Sequence, residues 1–154
     1  MIEKYVFDSN IFINLQQRQP RDIYPSVWGK IDDLMESGIV ISSQEVYDEL
    51  ERGDDALSEW ARTRKECFLP SDIPIQERVR KILSEHRGLV EGGKKRNNAD
   101  PFVIALAQEL QCSVVTEEGR SNSIIAPKIP NICDIYKVPC LNFVGFIRKM
   151  NLKF

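Results

Sequence analysis

The segment KYVFDSN, residues 4–10, gives the clearest indication of the fold class. A short apolar run ends abruptly in an acid, Asp8, which Ser9 and Asn10 follow. Apolar residues at successive rather than alternate positions are typical of a central parallel strand that is covered on both faces. The segment therefore predicts a buried strand with Asp8 at its carboxyl end.

Strands and helices are predicted to alternate along the rest of the chain. Short apolar runs predict strands at residues 38–42, 67–69, 113–116 and 140–142. Apolar residues at helical spacing predict helices at residues 11–15, 24–38, 55–65, 72–86, 100–110 and 132–136. A further helix is predicted to start at residue 43, and the last one is predicted to end at residue 150. The polar stretch 16–22 contains Pro20 and predicts a loop. This alternation predicts a single domain, residues 1–154, with a three-layer α/β/α fold around a central, mainly parallel sheet.

The composition restricts the classes of function. A net charge of −2 excludes a uniformly basic surface, so nucleic-acid binding has to use a local basic patch, a bound metal or both. No apolar run approaches the roughly 20 residues that a membrane helix needs. The first residues also lack the basic-then-apolar layout of a signal peptide. We therefore expect a cytoplasmic protein without a membrane segment.

Several single residues have an ordinary structural interpretation. The four cysteines form no C-x-x-C pair and have no histidine near them, which excludes the common zinc spacings and predicts buried or half-buried free thiols. Trp28 and Trp60 lie at helical spacing with other apolar residues, which predicts core positions. His86 is predicted to be a surface residue at a helix end.

Acidic residues are predicted to converge at one edge of the sheet. Asp8 ends the first strand, and Glu117 and Glu118 follow the fourth. Asp100 precedes Pro101 in a favourable helix start, with Asp as N-cap and Pro as the first helical residue. Ligands of open α/β sheets bind outside the carboxyl ends of the strands, which is where these acids should meet.

Such a convergence is costly unless a cation is present. Two carboxylates ~4 Å apart repel each other by about 4 kcal/mol at an effective dielectric constant near 20. Either one of them is protonated or a cation lies between them. Divalent ions such as Mg²⁺ and Mn²⁺ prefer oxygen ligands, and they can activate water and stabilise the charge on a phosphate under attack. With one histidine in the chain, carboxylate–metal chemistry is the easier catalytic route.

Four segments resemble the motifs of PIN domains, in the same order. They are YVFDSNIF at residues 5–12, SSQEVYDEL at 42–50, NNADPFVIALA at 97–107 and VVTEE at 114–118. The functional acids that this resemblance identifies are Asp8, Glu49, Asp100 and Glu118. Glu118 stands where the family more often has Asp, and the adjacent Glu117 remains an alternative. The segment KIPNICDIYKVPCLN, residues 128–142, also resembles a bacterial subfamily of PIN proteins.

The resemblance implies a metal-dependent endoribonuclease that hydrolyses RNA phosphodiester bonds, often as the toxin of a toxin–antitoxin pair. It implies Mg²⁺ or Mn²⁺ held by the four acids, with Asn10 and Thr116 orienting ligands or phosphate by hydrogen bonds. It also implies a homodimer, and an antitoxin that covers the site and inserts a basic side chain among the acids.

Basic residues near the motifs are candidates for RNA contacts. Lys94, Lys95 and Arg96 form a short basic run in the stretch EGGKKRNN, and Arg120 follows the fourth motif. A solvated loop explains the basic run equally well, because such runs are common. A solvated helix face likewise explains Glu49 without the family pattern.

Two other classes of function compete with the nuclease. A haloacid-dehalogenase-like phosphatase also begins with Asp after the first strand, but it needs a second Asp where Asn10 stands. A catalytically inactive PIN scaffold that binds RNA or a protein partner remains open. Retention of the four mutually repelling acids argues against it.

Overall fold

The computed structural model describes residues 2–91, 99–123 and 126–154. Five strands form one sheet in the order β3-β2-β1-β4-β5, and the neighbouring strands pair in parallel. The strands are β1 (Tyr5–Phe7), β2 (Val40–Ser43), β3 (Phe68–Leu69), β4 (Ser113–Val115) and β5 (Cys140–Leu141). This sheet confirms the predicted α/β fold with a parallel sheet at its centre.

Helices flank the sheet and connect its strands. They are α1 (Ser9–Arg18), α2 (Pro25–Glu36), α3 (Gln44–Glu51), α4 (Asp55–Thr63), α5 (Ile73–Glu85), α6 (Gly88–Glu91), α7 (Asp100–Leu110), α8 (Ile129–Tyr136) and α9 (Phe143–Lys149), and a 3₁₀ turn covers Lys65–Cys67. Every residue of β1 and β4 is buried, as expected for central strands covered on both faces. Among the helices in the described ranges, none is long and apolar enough to cross a membrane.

The strand order places β1 beside β4 although they are distant in the chain. Val6 of β1 lies opposite Ile41 of β2 on one side and Val114 of β4 on the other. The chain builds one half of the sheet from β1 to β3 and then crosses to the other side of β1. Such a switch point leaves a crevice at the carboxyl ends of the two central strands.

Aromatic residues form the centre of the core on the α1 side. Trp28 and Trp60 are each 2% exposed, with ring centroids 5.0 Å apart in an edge-to-face arrangement. Their indole N–H groups donate to the Gln19 carbonyl at 2.7 Å and to Asp32 Oδ1 at 2.8 Å, so neither buried donor lacks an acceptor. Phe12 packs against this pair, with its ring centroid 5.4 Å from that of Trp60. The prediction that both tryptophans are core residues is confirmed.

Several predicted boundaries were wrong by a few residues, among them the start of α8, which lies at Ile129 and not at residue 132. α1 extends through the first part of the predicted loop to Arg18, because glutamine and arginine are good helix formers even without an apolar pattern. Asp100 is the first residue of α7 rather than its N-cap, which is Ala99. Pro101 is accommodated in this first turn because amides there have no partner within the helix.

The cysteine prediction is confirmed: Cys67, Cys112 and Cys133 are buried, Cys140 is half-buried, and all four are free thiols. His86 is the C-cap of α5, and its side chain is 19% exposed rather than fully at the surface.

Candidate metal centre

Asp8 lies at the switch point of the sheet, between the end of β1 and the start of α1. It is the N-cap of α1, and its Oδ1 accepts a hydrogen bond from the Ser9 amide at 2.8 Å. Its Oδ2 accepts from the hydroxyl of Thr116, also at 2.8 Å. The side chain is nearly inaccessible, since only 2% of the residue is exposed. Asp8 is therefore a buried carboxylate held in one orientation by two donors.

Three acids meet at this position. One carboxylate oxygen from each of Asp8, Asp100 and Glu118 lies within 4.8 Å of the other two. Asp8 and Asp100 are buried and Glu118 is half-buried. They come from the end of β1, the first turn of α7 and the segment after β4, which the sheet order brings together. Among the described residues, no other group of three histidine, cysteine or acidic side chains is gathered in this way.

A hydrogen-bond network around Thr116 connects the ends of β1 and β4. The Thr116 hydroxyl, which donates to Asp8, accepts from Asn10 Nδ2 at 3.2 Å and from the Glu118 amide at 3.1 Å. Asn10 Oδ1 accepts from the Glu117 amide at 3.1 Å. The segment that carries Glu118 is thus fixed to the segment that carries Asp8 by side chains from both.

The electrostatics of the cluster are unfavourable for a second negative charge. The pKa of Asp8 is raised to about 7, first by burial and then by the negative charge of Glu118, with a smaller contribution from Glu49; the hydrogen bonds from Thr116 and Ser9 oppose the shift. Near neutral pH, the metal-free cluster therefore holds a proton on Asp8 for part of the time. A cation among the three carboxylates would favour loss of that proton, since it stabilises the charged form.

Glu118, and not Glu117, is the acid that joins Asp8 and Asp100. Glu117 is exposed, and its Oε2 accepts from the Phe143 amide at the start of α9, at 2.7 Å. The Glu118 carboxylate is turned the other way, and its Oε1 accepts from the Ile129 amide at the start of α8, at 3.2 Å.

The remaining predicted residues lie around this cluster or outside the described residues. Glu49 is half-buried on α3, close enough for its charge to raise the pKa of Asp8, but it is not one of the three gathered acids. Arg120 forms a two-pronged ion pair with Asp134, with N–O distances of 2.7 and 2.8 Å. The basic run 94–96 falls in the part of the chain that the structure does not describe.

A groove beside the cluster was not predicted from the sequence. It has a volume of about 420 Å³ and lies between α1, the start of α2, α9 and the chain end, with Glu117 at its border. Its walls include Tyr24, Val144 and Phe154, which are 42%, 50% and 54% exposed. These residues belong to distant segments, so only the exposed apolar character of each one was visible in the sequence.

The solved structures with a similar fold include the proteins named FitAB and VapBC. FitAcB from Neisseria gonorrhoeae is 20% identical, with a TM-score of 0.54 over 90% of this chain and 96% of that chain. VapBC2 from Rickettsia felis, bound to a DNA fragment from the promoter, is 13% identical, with a TM-score of 0.56 over 90% of this chain and 98% of that chain. VapBC-1 from nontypeable Haemophilus influenzae is 15% identical, with a TM-score of 0.53 over 91% and 98%. Identities this low show a shared fold and nothing more.

Sequence comparisons assign the family. Among curated proteins, none matches the chain. Residues 5–154 match the family described as a domain of unknown function, DUF4411. This match covers every strand of the sheet and all three gathered acids. The chain therefore belongs to the DUF4411 family, and its fold is the PIN-like fold that its four motifs resemble.

Proposed function

We propose that this protein is a divalent-metal-dependent endoribonuclease that hydrolyses RNA phosphodiester bonds in the cytoplasm, as the toxin of a toxin–antitoxin pair. The observation that carries the proposal is the convergence of Asp8, Asp100 and Glu118 at the switch point of the sheet. The four motifs that resemble those of PIN domains, and the PIN-like fold, support it.

The donor set fits Mg²⁺ or Mn²⁺. The gathered atoms are all carboxylate oxygens, which are the preferred ligands of these ions, and the two buried acids would otherwise repel each other in a poorly solvated place. Asp8, Asp100 and Glu118 would hold the ion, with Glu49 completing the site from α3. When bound, such an ion lowers the pKa of water and stabilises the negative charge that develops on a scissile phosphate.

The neighbouring polar residues orient the acids. Thr116 donates to Asp8 Oδ2 and so leaves the remaining lone pairs of that carboxylate for an ion. Asn10 supports Thr116 from the first turn of α1. Lys94, Lys95 and Arg96 are the proposed contacts to the RNA backbone. Arg120 can join them only by exchanging Asp134 for a phosphate, because both prongs of its guanidinium are engaged.

The proposed protein partner is an antitoxin that covers the acids. The support is that the similar solved structures are VapBC and FitAB toxin–antitoxin complexes. An antitoxin segment with apolar side chains could occupy the groove beside Glu117, from which a basic side chain would reach the acids. Homodimer formation is part of the same proposal and rests on the resemblance alone.

The function is tested by RNA cleavage with matched acid variants. Purified protein is incubated with a structured RNA pool in Mn²⁺, Mg²⁺ or EDTA, alongside Asp8→Asn, Asp100→Asn, Glu118→Gln and Glu117→Gln. We expect metal-dependent cleavage that falls to the EDTA level in the first three variants. Glu117→Gln should remain active, because its side chain faces α9 and its amide oxygen can still accept from Phe143.

Three other results would change the conclusion. Cleavage that survives Asp8→Asn and Asp100→Asn would indicate a contaminating nuclease. Equal loss in Glu117→Gln and Glu118→Gln would contradict the assignment of the third acid. A folded wild-type protein that binds Mn²⁺ but cleaves no RNA in the pool would favour a narrow RNA target, whereas one that does neither would favour the inactive scaffold.

A further inference from the structure

The carboxylate of Glu118 is anchored by the first turn of α8. Its Oε1 accepts from the Ile129 amide at 3.2 Å, and α8 begins at that residue and contains eight residues. The partial positive charge of a helix N-terminus adds to the attraction, because it favours a nearby carboxylate. The position of the third acid therefore depends on where the chain places the start of α8.

One side chain in that turn, Asn131, connects the two segments that flank this anchor. Its Oδ1 accepts from the Ser121 amide at 2.8 Å and from the Lys128 amide at 2.9 Å. Its Nδ2 donates to the Ser121 carbonyl at 3.0 Å. Ser121 follows Glu118 closely in the chain, and Lys128 immediately precedes Ile129. Asn131 thus holds both sides of the contact between Glu118 and Ile129.

An ion pair also connects the segment after Glu118 to α8, but it is weaker. Arg120 pairs with Asp134, but their side chains are 60% and 52% exposed, and pairs this exposed contribute little to stability because water screens them. Asn131 is half-buried, and its side-chain hydrogen bonds within the described residues all go to the backbone. Its amide matches a backbone donor–acceptor pair at Ser121, a geometry that a shorter side chain cannot reproduce.

We propose that Asn131 is a positioning residue of the metal centre: it holds Ser121 and Lys128 together, and so fixes the Ile129 amide against Glu118. This inference rests on the proposed function. It also gives a role to one residue of the segment 128–142. The resemblance of that segment to a PIN subfamily did not by itself imply a role for it.

The test measures Mn²⁺ binding to the full chain from the EPR signal of free Mn²⁺, with circular dichroism as a check of folding. The variants are Asn131→Ala and Asn131→Ser, and the control is Asn122→Ala, which removes the same side chain from an exposed position of the same segment. We expect Asn131→Ala to weaken Mn²⁺ binding about 10- to 100-fold, as is typical for the partners that orient metal ligands. Asn131→Ser should weaken it less, and Asn122→Ala should bind like the wild type.

A double-mutant cycle separates positioning from general destabilisation. Because Asp8 and Asp100 remain, Glu118→Gln should still bind Mn²⁺, although more weakly. If Asn131 acts through Glu118, then adding Asn131→Ala to Glu118→Gln should cause little further loss, since the two effects are not additive. A full additional loss would show that Asn131 acts elsewhere and would overturn the inference.

The remaining outcomes are also decisive. Wild-type affinity in folded Asn131→Ala would overturn the inference and leave the metal centre intact. Absence of Mn²⁺ binding by the wild type would overturn the proposed metal centre and this inference with it. If Asn131→Ala does not fold, Asn131→Ser takes its place in both comparisons, and wild-type affinity in that variant would overturn the inference.

Discussion

Asp8 combines two properties that are costly in a protein interior. It is an acid with 2% of its surface exposed, and another acid, Glu118, lies beside it. Its two hydrogen-bond donors, Ser9 and Thr116, offset only part of the cost, because the pKa is still raised to about 7. A group of this kind makes stability depend on pH, with a direction opposite to that of an ordinary salt-bridged carboxylate.

The metal-free protein should lose stability as pH rises. The unfolded chain releases the Asp8 proton at about pH 4, whereas the folded protein keeps it until about pH 7. This contribution to the free energy of unfolding is therefore complete below about pH 4, decreases through the interval and is lost above about pH 7. Its full size is on the order of 4 kcal/mol.

Urea unfolding in EDTA at several pH values measures this effect. Other carboxylates titrate in the same range, so the informative quantity is the difference between wild type and Asp8→Asn. Relative to the wild type, Asp8→Asn should gain stability as pH rises from about 5 to about 8. A difference that does not change with pH would contradict the raised pKa.

The junction of β1 and β4 explains which parts of the site could be predicted. Asp8 was visible because the strand that precedes it is short, apolar and ends at an acid. Asn131 was not visible, because its contacts to Ser121 and Lys128 depend on how the chain folds back before α8. The choice between Glu117 and Glu118 also depends on the path of the chain after β4. Each carboxylate accepts a hydrogen bond from the first amide of a different helix, Glu117 from α9 and Glu118 from α8.

The strand–helix alternation was predictable for a similar reason. Apolar runs and helical spacing are local patterns, and they identified all five strands to within two residues at each end. The order of the strands was not specified by these patterns, since any parallel arrangement buries the same residues. The end of α1, the N-cap of α7 and the start of α8 were missed because polar helix residues and first-turn prolines leave a boundary uncertain by a few positions.

Removal of the Thr116 hydroxyl should loosen the junction. In Thr116→Val the shape is kept, but Asp8 loses a donor, and Asn10 and the Glu118 amide lose an acceptor. We expect a loss of about 1–3 kcal/mol in the free energy of unfolding, because buried polar groups are left unsatisfied, together with weaker Mn²⁺ binding. Chemical denaturation and metal titration measure the two effects.

Thr63→Val is the matched control for this substitution. Within the described part of the chain, the Thr63 hydroxyl donates only to the Trp60 carbonyl at the end of α4, and the residue is exposed. It should change stability less and leave Mn²⁺ binding unchanged. Equal effects of the two substitutions would contradict the role of Thr116 at the junction.

The three acids connect parts of the molecule that are far apart in the chain, so a bound ion should stabilise the whole fold. Asp8 lies at the end of β1 and Glu118 in the segment after β4, more than 100 positions later, and Asp100 comes from a third segment, at the start of α7. An ion that binds only the folded state at about 100 times its dissociation constant adds about 2.7 kcal/mol to the free energy of unfolding. For a chain of 154 residues this corresponds to a rise in Tm of about 5–10 °C.

Differential scanning calorimetry with Mn²⁺, at matched ionic strength, measures that rise. Wild type and Glu117→Gln should both show it, and Asp100→Asn should not. A similar rise in Asp100→Asn would mean that the ion binds elsewhere in the molecule.

The position of β1 at the centre of the sheet has a consequence for synthesis on the ribosome. β1 is made first, but its neighbour β4 begins only at Ser113, and the anchor of Glu118 follows at Ile129. Domains fold as units while the chain emerges, and pairings between distant segments wait for the later one. Through most of translation the nascent chain therefore carries Asp8 without its partners. A product terminated before residue 118 contains the first strand and its acid but no assembled centre.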